Sequence, residues 1–381
     1  MKVLHLWDRY APGLFDHSLE ICRAEGIHTR LACMHLVENG EDPDPSVAIV
    51  RRVGRDDSRA DLAGRLRRKH RRLVDRNRFR RLASEVVRKF NPDLLHVHYG
   101  TTAAILEGAR EVLGCPFIVS FYGFDISQGP DTPGIRAAYE RVMELRPLVH
   151  VLCDEAAERA VALGAERDRI AVANLPLPVE RYPYVGVKVG GTFRWLIPAR
   201  FVEKKGHAIA LRAFKQHLAS WPESLLTCWG YGDSAWLRKE VERLGLGGSV
   251  SVLDNVSEGP FDAAYLKRLR DHDAVLAPSV RSARGDDEGG PALTAVLAQV
   301  AGKPVIVSDF PGHERSVTDG VEGLVVPQGD AAALAAAMAD LSSDRERARA
   351  MGKAGRERAV RAFDRTTYRD ALIGWYRRLA K

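Results

Sequence analysis

Cysteine is scarce in this 381-residue chain: Cys22, Cys33, Cys115, Cys153 and Cys228 are odd in number, far apart and never in a C-x-x-C pair. That excludes a disulfide framework and signals no zinc cluster; reduced core thiols are expected. No run approaches the roughly 20 apolar residues of a bilayer-spanning helix. The opening Met1-Lys2-Val3-Leu4-His5 lacks the long apolar region of a secretory signal, so a cytoplasmic protein is expected. Neither a G-x-S-x-G elbow nor a Ser-His-Asp order occurs, which leaves hydrolase chemistry without support. Solenoid-period repeats and low-complexity tracts are absent too. What remains is ordinary globular composition, 45% hydrophobic and 28% charged, at a length too great for one typical core. Two domains are expected.

The formal charge of +7 is unevenly spread. Residues 62–90 hold Arg65, Arg67, Arg68, Lys69, Arg71, Arg72, Arg76, Arg78, Arg80, Arg81, Arg88 and Lys89 against only Asp75 and Glu85. Leu62, Leu66, Leu73, Phe79, Leu82, Ala83, Val86, Val87 and Phe90 recur at three- and four-residue steps, which predicts a helix with one apolar face and the cations opposite. Two readings stand side by side. One is the solvated face of a core-packed helix; the other is docking on an anionic membrane surface, which would make the protein peripheral on the inner leaflet, each basic residue near the surface contributing about 1 kcal/mol. No aromatic interleaving accompanies the charge, so nucleic acid is not implied as a partner.

Short apolar runs at 2–7, 94–98, 117–120, 149–152 and 170–172 alternate with helix-length amphipathic stretches, as in a parallel sheet wrapped by helices. Pro176, Pro178, Pro183, Gly190 and Gly191 then crowd together, after which runs at 193–197, 225–229, 250–253, 274–277, 305–307 and 323–325 restart the pattern. The expected class is α/β, with two doubly wound, Rossmann-like parallel-sheet domains. The first spans 1–182, a linker 183–192 and the second 193–363; the helix 364–381 is expected to pack back on the first. Such sheets bind ligands at the carboxyl ends of their strands, so a cleft between them is the expected site.

Two segments carry charge suited to a diphosphate. Arg200 and Lys205 stand five residues apart just after the first strand of the second domain, one a forked donor and the other a point charge. Asp286-Asp287-Glu288-Gly289-Gly290-Pro291 opens a helix at 293–300, where glycines let backbone approach a ligand and a helix amino end favours an anion. Three consecutive carboxylates on a loop are a poor octahedral set, so no metal is expected.

In this order and spacing the chain resembles the retaining glycosyltransferases of family 4, of the two-domain GT-B fold, and among them colanic acid and other exopolysaccharide transferases. The matching stretches are Pro92 to His98, Ser120 to Asp125, Arg200 to Gly206, Gly230 to Asp233, Glu288 to Pro291, Ala301 to Val305, Glu314, and Gly320 to Val325. The resemblance implies transfer of a sugar from a nucleotide diphosphate-sugar to a hydroxyl of a lipid-linked saccharide or small-molecule acceptor, without a cofactor. It assigns the donor to Gly13, Arg200, Lys205, Gly230, Glu288, Gly289, Gly290 and Leu293, and the acceptor to His98, Tyr122 and Asp125. Arg200, Lys205, Asp125 and Glu288 are implied to be catalytic, the two cations stabilising charge on the leaving diphosphate. His96 reads as a structural histidine.

Three departures qualify this. Tyr10 to Phe15 supplies only Gly13 where the family pairs glycines, and Tyr122 stands where it often has His. Eight residues after Glu288, where the family carries a second Glu that grips the ribose, stands Val296, or Leu297 when counted from the downstream motif. Losing that charge-assisted bond costs about 1.5–3 kcal/mol, with Gln299 or Thr294 as partial substitutes. A sugar phosphate donor, or a catalytically silent binding subunit, are the rival expectations.

Overall fold

The computed structural model of the protein describes residues 1–10, 17–37, 47–53, 62–177, 179–254 and 263–380. The chain divides into two compact units: residues 1–152, 156–173 and 368–381 form the first, and 153–155 and 174–367 the second. The division falls after Ala173, not after residue 182. Residues 183–192, expected as a linker, are part of the second unit, because the Val185 and Gly186 amides donate to Ala301 O and the Val187 side chain is buried in the core there. Proline and glycine density marked irregular backbone, and tertiary packing decided which core it joined.

The first unit is built on β1 (Lys2–Tyr10), β2 (His28–Val37), β3 (Val47–Val53), β4 (Leu94–His98), β5 (Phe117–Ser120), β6 (Leu148–Val151) and β7 (Ile170–Val172), all parallel, in the order β3-β2-β1-β4-β5-β6-β7. β2 and β3 were not legible as strands: His28, Arg30, His35, Arg51 and Arg52 interrupt their apolar runs near the sheet edge. The basic helix is Leu62–Phe90. Phe79, Ala83 and Val86 are buried, and Arg76, Arg78, Arg81, Arg88 and Lys89 are exposed. From Phe79 onward the apolar face is therefore used by the protein's own core. The side chains of Arg65 to Arg72 lie outside the described residues.

The second unit carries β8 (Arg194–Pro198), β9 (Leu225–Trp229), β10 (Val250–Leu253), β11 (Ala274–Ala277), β12 (Val305–Ser308) and β13 (Gly323–Val326), parallel, in the order β10-β9-β8-β11-β12-β13. Alternate residues feed two cores. Trp195, Ile197, Cys228 and Leu276 face one side, and Leu196, Trp229, Val275 and Val307 the other, as a sheet covered on both faces requires. Strand order reverses between β1 and β4 in the first sheet and between β8 and β11 in the second, the position at which doubly wound sheets in general bind ligands. Among the described residues no helix is long and apolar enough to cross a membrane.

Candidate functional site

In the second unit the carboxyl ends of β8 and β11 bring the expected donor residues together. β8 runs into exposed Arg200, whose carbonyl accepts from buried His207 Nε2 at 3.1 Å. The turn closes at Gly206, with φ of 70°; a Cβ there would lie 1.8 Å from Pro278 O. Only glycine permits so close an approach to the end of β11. That approach places Lys205 against Glu288: Nζ donates to Oε1 at 2.7 Å and Oε2 at 2.8 Å, and Ser279 Oγ donates to Oε1 at 2.8 Å. Burial pushes the Glu288 carboxyl up, but Lys205 and Lys204 outweigh it and hold it at about 2.

The neighbouring acids serve other partners. Lys204, buried, donates to Asp286 Oδ1 at 3.0 Å and Asp287 O at 2.7 Å, and Asp287 Oδ1 accepts from the Gly289 amide at 3.1 Å. The Gly289 amide, expected to meet a ligand, is thus committed within the loop, and both Gly289 and Gly290 are buried. Gly230 is a close-approach position: a Cβ would lie 2.0 Å from Ala199 O, beside Arg200. The helix Leu293–Val300 opens with no side-chain cap, with Leu293 and Thr294 part-exposed at its first turn. Val296 and Leu297 are both wholly buried. Gln299 is excluded as a substitute, since it is buried and its Nε2 donates to Ser316 O at 2.9 Å. Thr294 remains.

In the first unit β4 and β5 end at the expected acceptor residues. Asp125 is wholly buried, and its carboxylate accepts from the amides of Tyr122 and Gly123 at 3.0 Å each and of Gly100 at 2.9 Å. Through those three amides it holds the loop between β5 and the following helix to the start of the helix after β4. His98 is also wholly buried; its Nδ1 meets the Tyr122 hydroxyl at 2.7 Å and its Nε2 meets His5 Nδ1 at 3.0 Å. Of the three, Tyr122 alone is part-exposed. Beside it stands Tyr99, with φ of 69° and its ring 4.9 Å from that of Tyr122. Gly13 lies outside the described residues.

Sequence reasoning missed Asp8 and Ser279. Part-buried Asp8, at the carboxyl end of β1, accepts from Thr101 Oγ1 at 2.8 Å, and burial raises its acid above the ordinary value against the pull of Thr101 and Thr102. Asp8 follows the buried run of β1 and Ser279 lies two residues past β11, the strand ends from which doubly wound folds reach ligands.

The "Glycosyl transferases group 1" family matches residues 185–358, and the "Glycosyl transferase 4-like domain" matches residues 16–176. The chain belongs to the family 4 glycosyltransferases. Relatives within the family include the colanic acid biosynthesis glycosyltransferase WcaL of Salmonella typhimurium, 28% identical over 68% of this chain and 64% of its own length. Another is the amylovoran biosynthesis glycosyltransferase AmsK of Erwinia amylovora, 29% identical over 66% of this chain and 62% of its own. The matched part thus spans just under two thirds of either relative. Sucrose-phosphate synthase from Thermosynechococcus elongatus superposes with a TM-score of 0.78 at 17% identity, covering 100% of this chain and 99% of that one. Anabaena HepE in complex with UDP superposes at 0.72 and 15%, covering 98% and 99%. At such identities the likeness establishes the fold, which is GT-B.

Proposed function

We propose that the chain is a retaining, metal-independent glycosyltransferase that moves a sugar from a nucleotide diphosphate-sugar to a hydroxyl of a saccharide or small-molecule acceptor, in exopolysaccharide or lipid-linked oligosaccharide assembly. The observation that carries this is the Lys205–Glu288–Ser279 cluster at the switch point of the second sheet, beside exposed Arg200 and the uncapped helix Leu293–Val300. Arg200 and the first-turn amides would take the diphosphate, with Lys205 moving part of its charge from Glu288 to the leaving phosphate. Glu288, ionised and held by three donated hydrogen bonds, would orient a sugar hydroxyl rather than attack carbon. With no free carboxylate nucleophile in that cluster, the leaving phosphate takes the acceptor's proton on the same face and configuration is kept. The acids Asp286, Asp287 and Glu288 each serve a different partner, which supports chemistry without a metal. UDP in HepE and the polysaccharide settings of WcaL and AmsK support the donor and acceptor classes. The acceptor belongs in this reading to the Tyr122 edge of the first unit, at a cytoplasmic membrane surface approached through the exposed cations of Leu62–Phe90.

A second reading, a sugar phosphate donor, is favoured by one observation: Val296 and Leu297 are wholly buried and offer a ribose no acid. Calorimetric titration with UDP, GDP, ADP, TDP and glucose 1-phosphate, without added metal, separates the two. Binding of one nucleotide that is lost in Arg200→Ala and Lys205→Ala supports the first. Binding of glucose 1-phosphate alone supports the second, and no binding of any makes the chain a silent partner subunit.

A further inference from the structure

Two lysines stand side by side in the turn after β8, and they serve different partners. Lys205, its side chain 18% exposed, holds the Glu288 carboxylate, whereas Lys204, at 6%, is buried on the segment that leads up to Glu288. A lysine is buried only where its charge is paired and its protons are placed. Lys204 meets both conditions: Nζ donates to Asp286 Oδ1 at 3.0 Å and to Asp287 O at 2.7 Å. Residues 278–292, between β11 and the helix Leu293–Val300, form neither helix nor strand. The turn 203–205 supplies a frame for them. The Val280 amide donates to Lys204 O at 2.9 Å and the Ala283 amide to Glu203 Oε1 at 3.1 Å. Ser282 closes the far side, its Oγ accepting from the Asp286 amide and its own amide donating to Asp286 O, each at 3.0 Å. Lys204 then takes hold of the last two residues before Glu288.

The carbonyl that Lys204 grips belongs to the same planar peptide group as the Glu288 nitrogen, so fixing it fixes the plane from which the Glu288 side chain departs. On the other side of Glu288 the Gly289 amide donates to Asp287 Oδ1 at 3.1 Å. The glutamate backbone is therefore clamped before and after, while Lys205 and Ser279 act on its carboxylate. The runs Lys204-Lys205 and Asp286-Asp287-Glu288 are matched in chain order: the first lysine pairs with the first acid, the second lysine with the last. Charge works in the same direction, since Lys204 is the cation that, after Lys205, holds the Glu288 acid down. The division of labour matters once a diphosphate is bound. Lys205 then shares its charge between Glu288 and phosphate, whereas Lys204, buried on two acceptors of the protein itself, stays in place.

We propose that Lys204 is a positioning residue for Glu288: it holds the glutamate in place, with a fixed cation nearby, while Lys205 turns to a diphosphate, so that the sugar and the phosphate of the donor do not compete for one lysine. Lys204 acts through Asp287 and Glu288. Asp286, 28% exposed, belongs to the same clasp as its counter-ion. The inference deepens the donor-binding role proposed above for Lys205 and Glu288 and rests on that reading.

The test compares Lys204→Met in the full chain with Ile306→Val, which trims a wholly buried core side chain of β12 and serves as a control for general loosening. Hydrogen exchange of the unliganded protein, followed by mass spectrometry of its peptides, should show residues 280–290 exchanging about tenfold faster in Lys204→Met and unchanged in Ile306→Val. Unchanged exchange of that segment in Lys204→Met overturns the clasp. Calorimetry with UDP, GDP, ADP and TDP, each beside its glucose conjugate, gives the second readout. The affinity for the sugar nucleotide relative to its free nucleotide should fall about tenfold in Lys204→Met, with the free nucleotide within about threefold of wild type, because what is lost is one well-placed hydrogen bond to a charged group. A ratio unmoved in Lys204→Met, or one that falls as far in Ile306→Val, overturns the role, since general loosening weakens both ligands alike. Asp286→Ala takes one acceptor from Lys204 and leaves the other; it should shift both readouts the same way by a smaller factor, carries the test should Lys204→Met not fold, and overturns the proposal if it shifts neither. Wild type that binds no nucleotide sinks the transferase reading and the role at a sugar with it, whereas nucleotide binding with an unmoved ratio sinks the positioning role alone.

Discussion

Lys205→Met removes the cation that holds Glu288, and its cost can be worked from the structure in two ways. The two side chains are 18% and 9% exposed, and the ammonium donates at 2.7 and 2.8 Å. Breaking such a buried pair from one side costs about 3–5 kcal/mol, because a carboxylate is left buried with less than its full set of donors. Independently, a carboxyl held at about 2 against an ordinary 4.5 corresponds to about 3 kcal/mol of preference for the charged form. Lys204 and Ser279 remain as partners, so the lower figure is expected. The depressed acid gives stability that is full above pH 4.5 and is lost as pH falls through about 2. In Lys205→Met the acid rises toward its ordinary value, so the loss still begins near pH 4.5 but is complete at a higher pH and is smaller. Urea unfolding at neutral pH and across the acid range measures both, with fluorescence dominated by Trp195, Trp221, Trp229 and Trp236 of the second unit. The double variant with Glu288→Gln should come back to within about 1 kcal/mol of wild type, since no unpaired charge remains. A single variant within about 0.5 kcal/mol of wild type, or a double variant no better than the single, would refute the reasoning.

Asp125→Ala leaves the buried amides of Gly100 and Gly123 and the part-buried amide of Tyr122 without their acceptor and should destabilise the first unit by about 3 kcal/mol in thermal or urea unfolding. In the wild type, burial lifts Asp125 to about 6 against the pull of those amides, so the folded state holds a proton that the unfolded chain releases from pH 3.8; its contribution to stability falls as pH rises through that window, and a 13C carboxyl titration should place the midpoint near 6. Gly206→Ala forces a Cβ against Pro278 O and should cost more than about 2 kcal/mol, together with any nucleotide binding seen calorimetrically. Buried Lys303, which donates to Gly186 O and to His272 O at 2.7 Å, is lowered by burial to about 8 from 10.5. The folded state releases that proton first, so stability should rise across this range, and the slope should vanish in Lys303→Met. Because the apolar face of residues 79–90 is buried, binding to phosphatidylserine vesicles should be electrostatic: Arg76, Arg78, Arg81, Arg88 and Lys89 to Glu should abolish it in co-sedimentation, as should about 1 M salt.

Much of the fold was legible because its strands are buried on both faces and read as short unbroken apolar runs, as in 94–98 and 305–307. β2 and β3 were not, because His28 and Arg30 on the strand next to the edge and Arg51 and Arg52 on the edge strand break the apolar signature. The Arg200–Lys205 and Asp286–Gly290 segments were legible as a pattern of cations, acids and glycines at fixed spacing after two strands. Their internal assignments were not. Whether a carboxylate such as Asp125 meets a ligand or three backbone amides depends on how Gly100 and Gly123 fold around it.

The order and spacing of motifs by themselves determined the family, the α/β class and the two parallel sheets, because these rest on periodicity and on residue types that few other folds need together. Only tertiary structure decided that the chain divides at Ala173, that Lys205 is paired with Glu288, that the apolar face of the basic helix from Phe79 onward is already buried, and that four histidines from three strands are buried together on the first sheet. Those outcomes depend on register and on contacts between residues up to 280 positions apart, as His96 is from Tyr376, and no local pattern encodes such a contact.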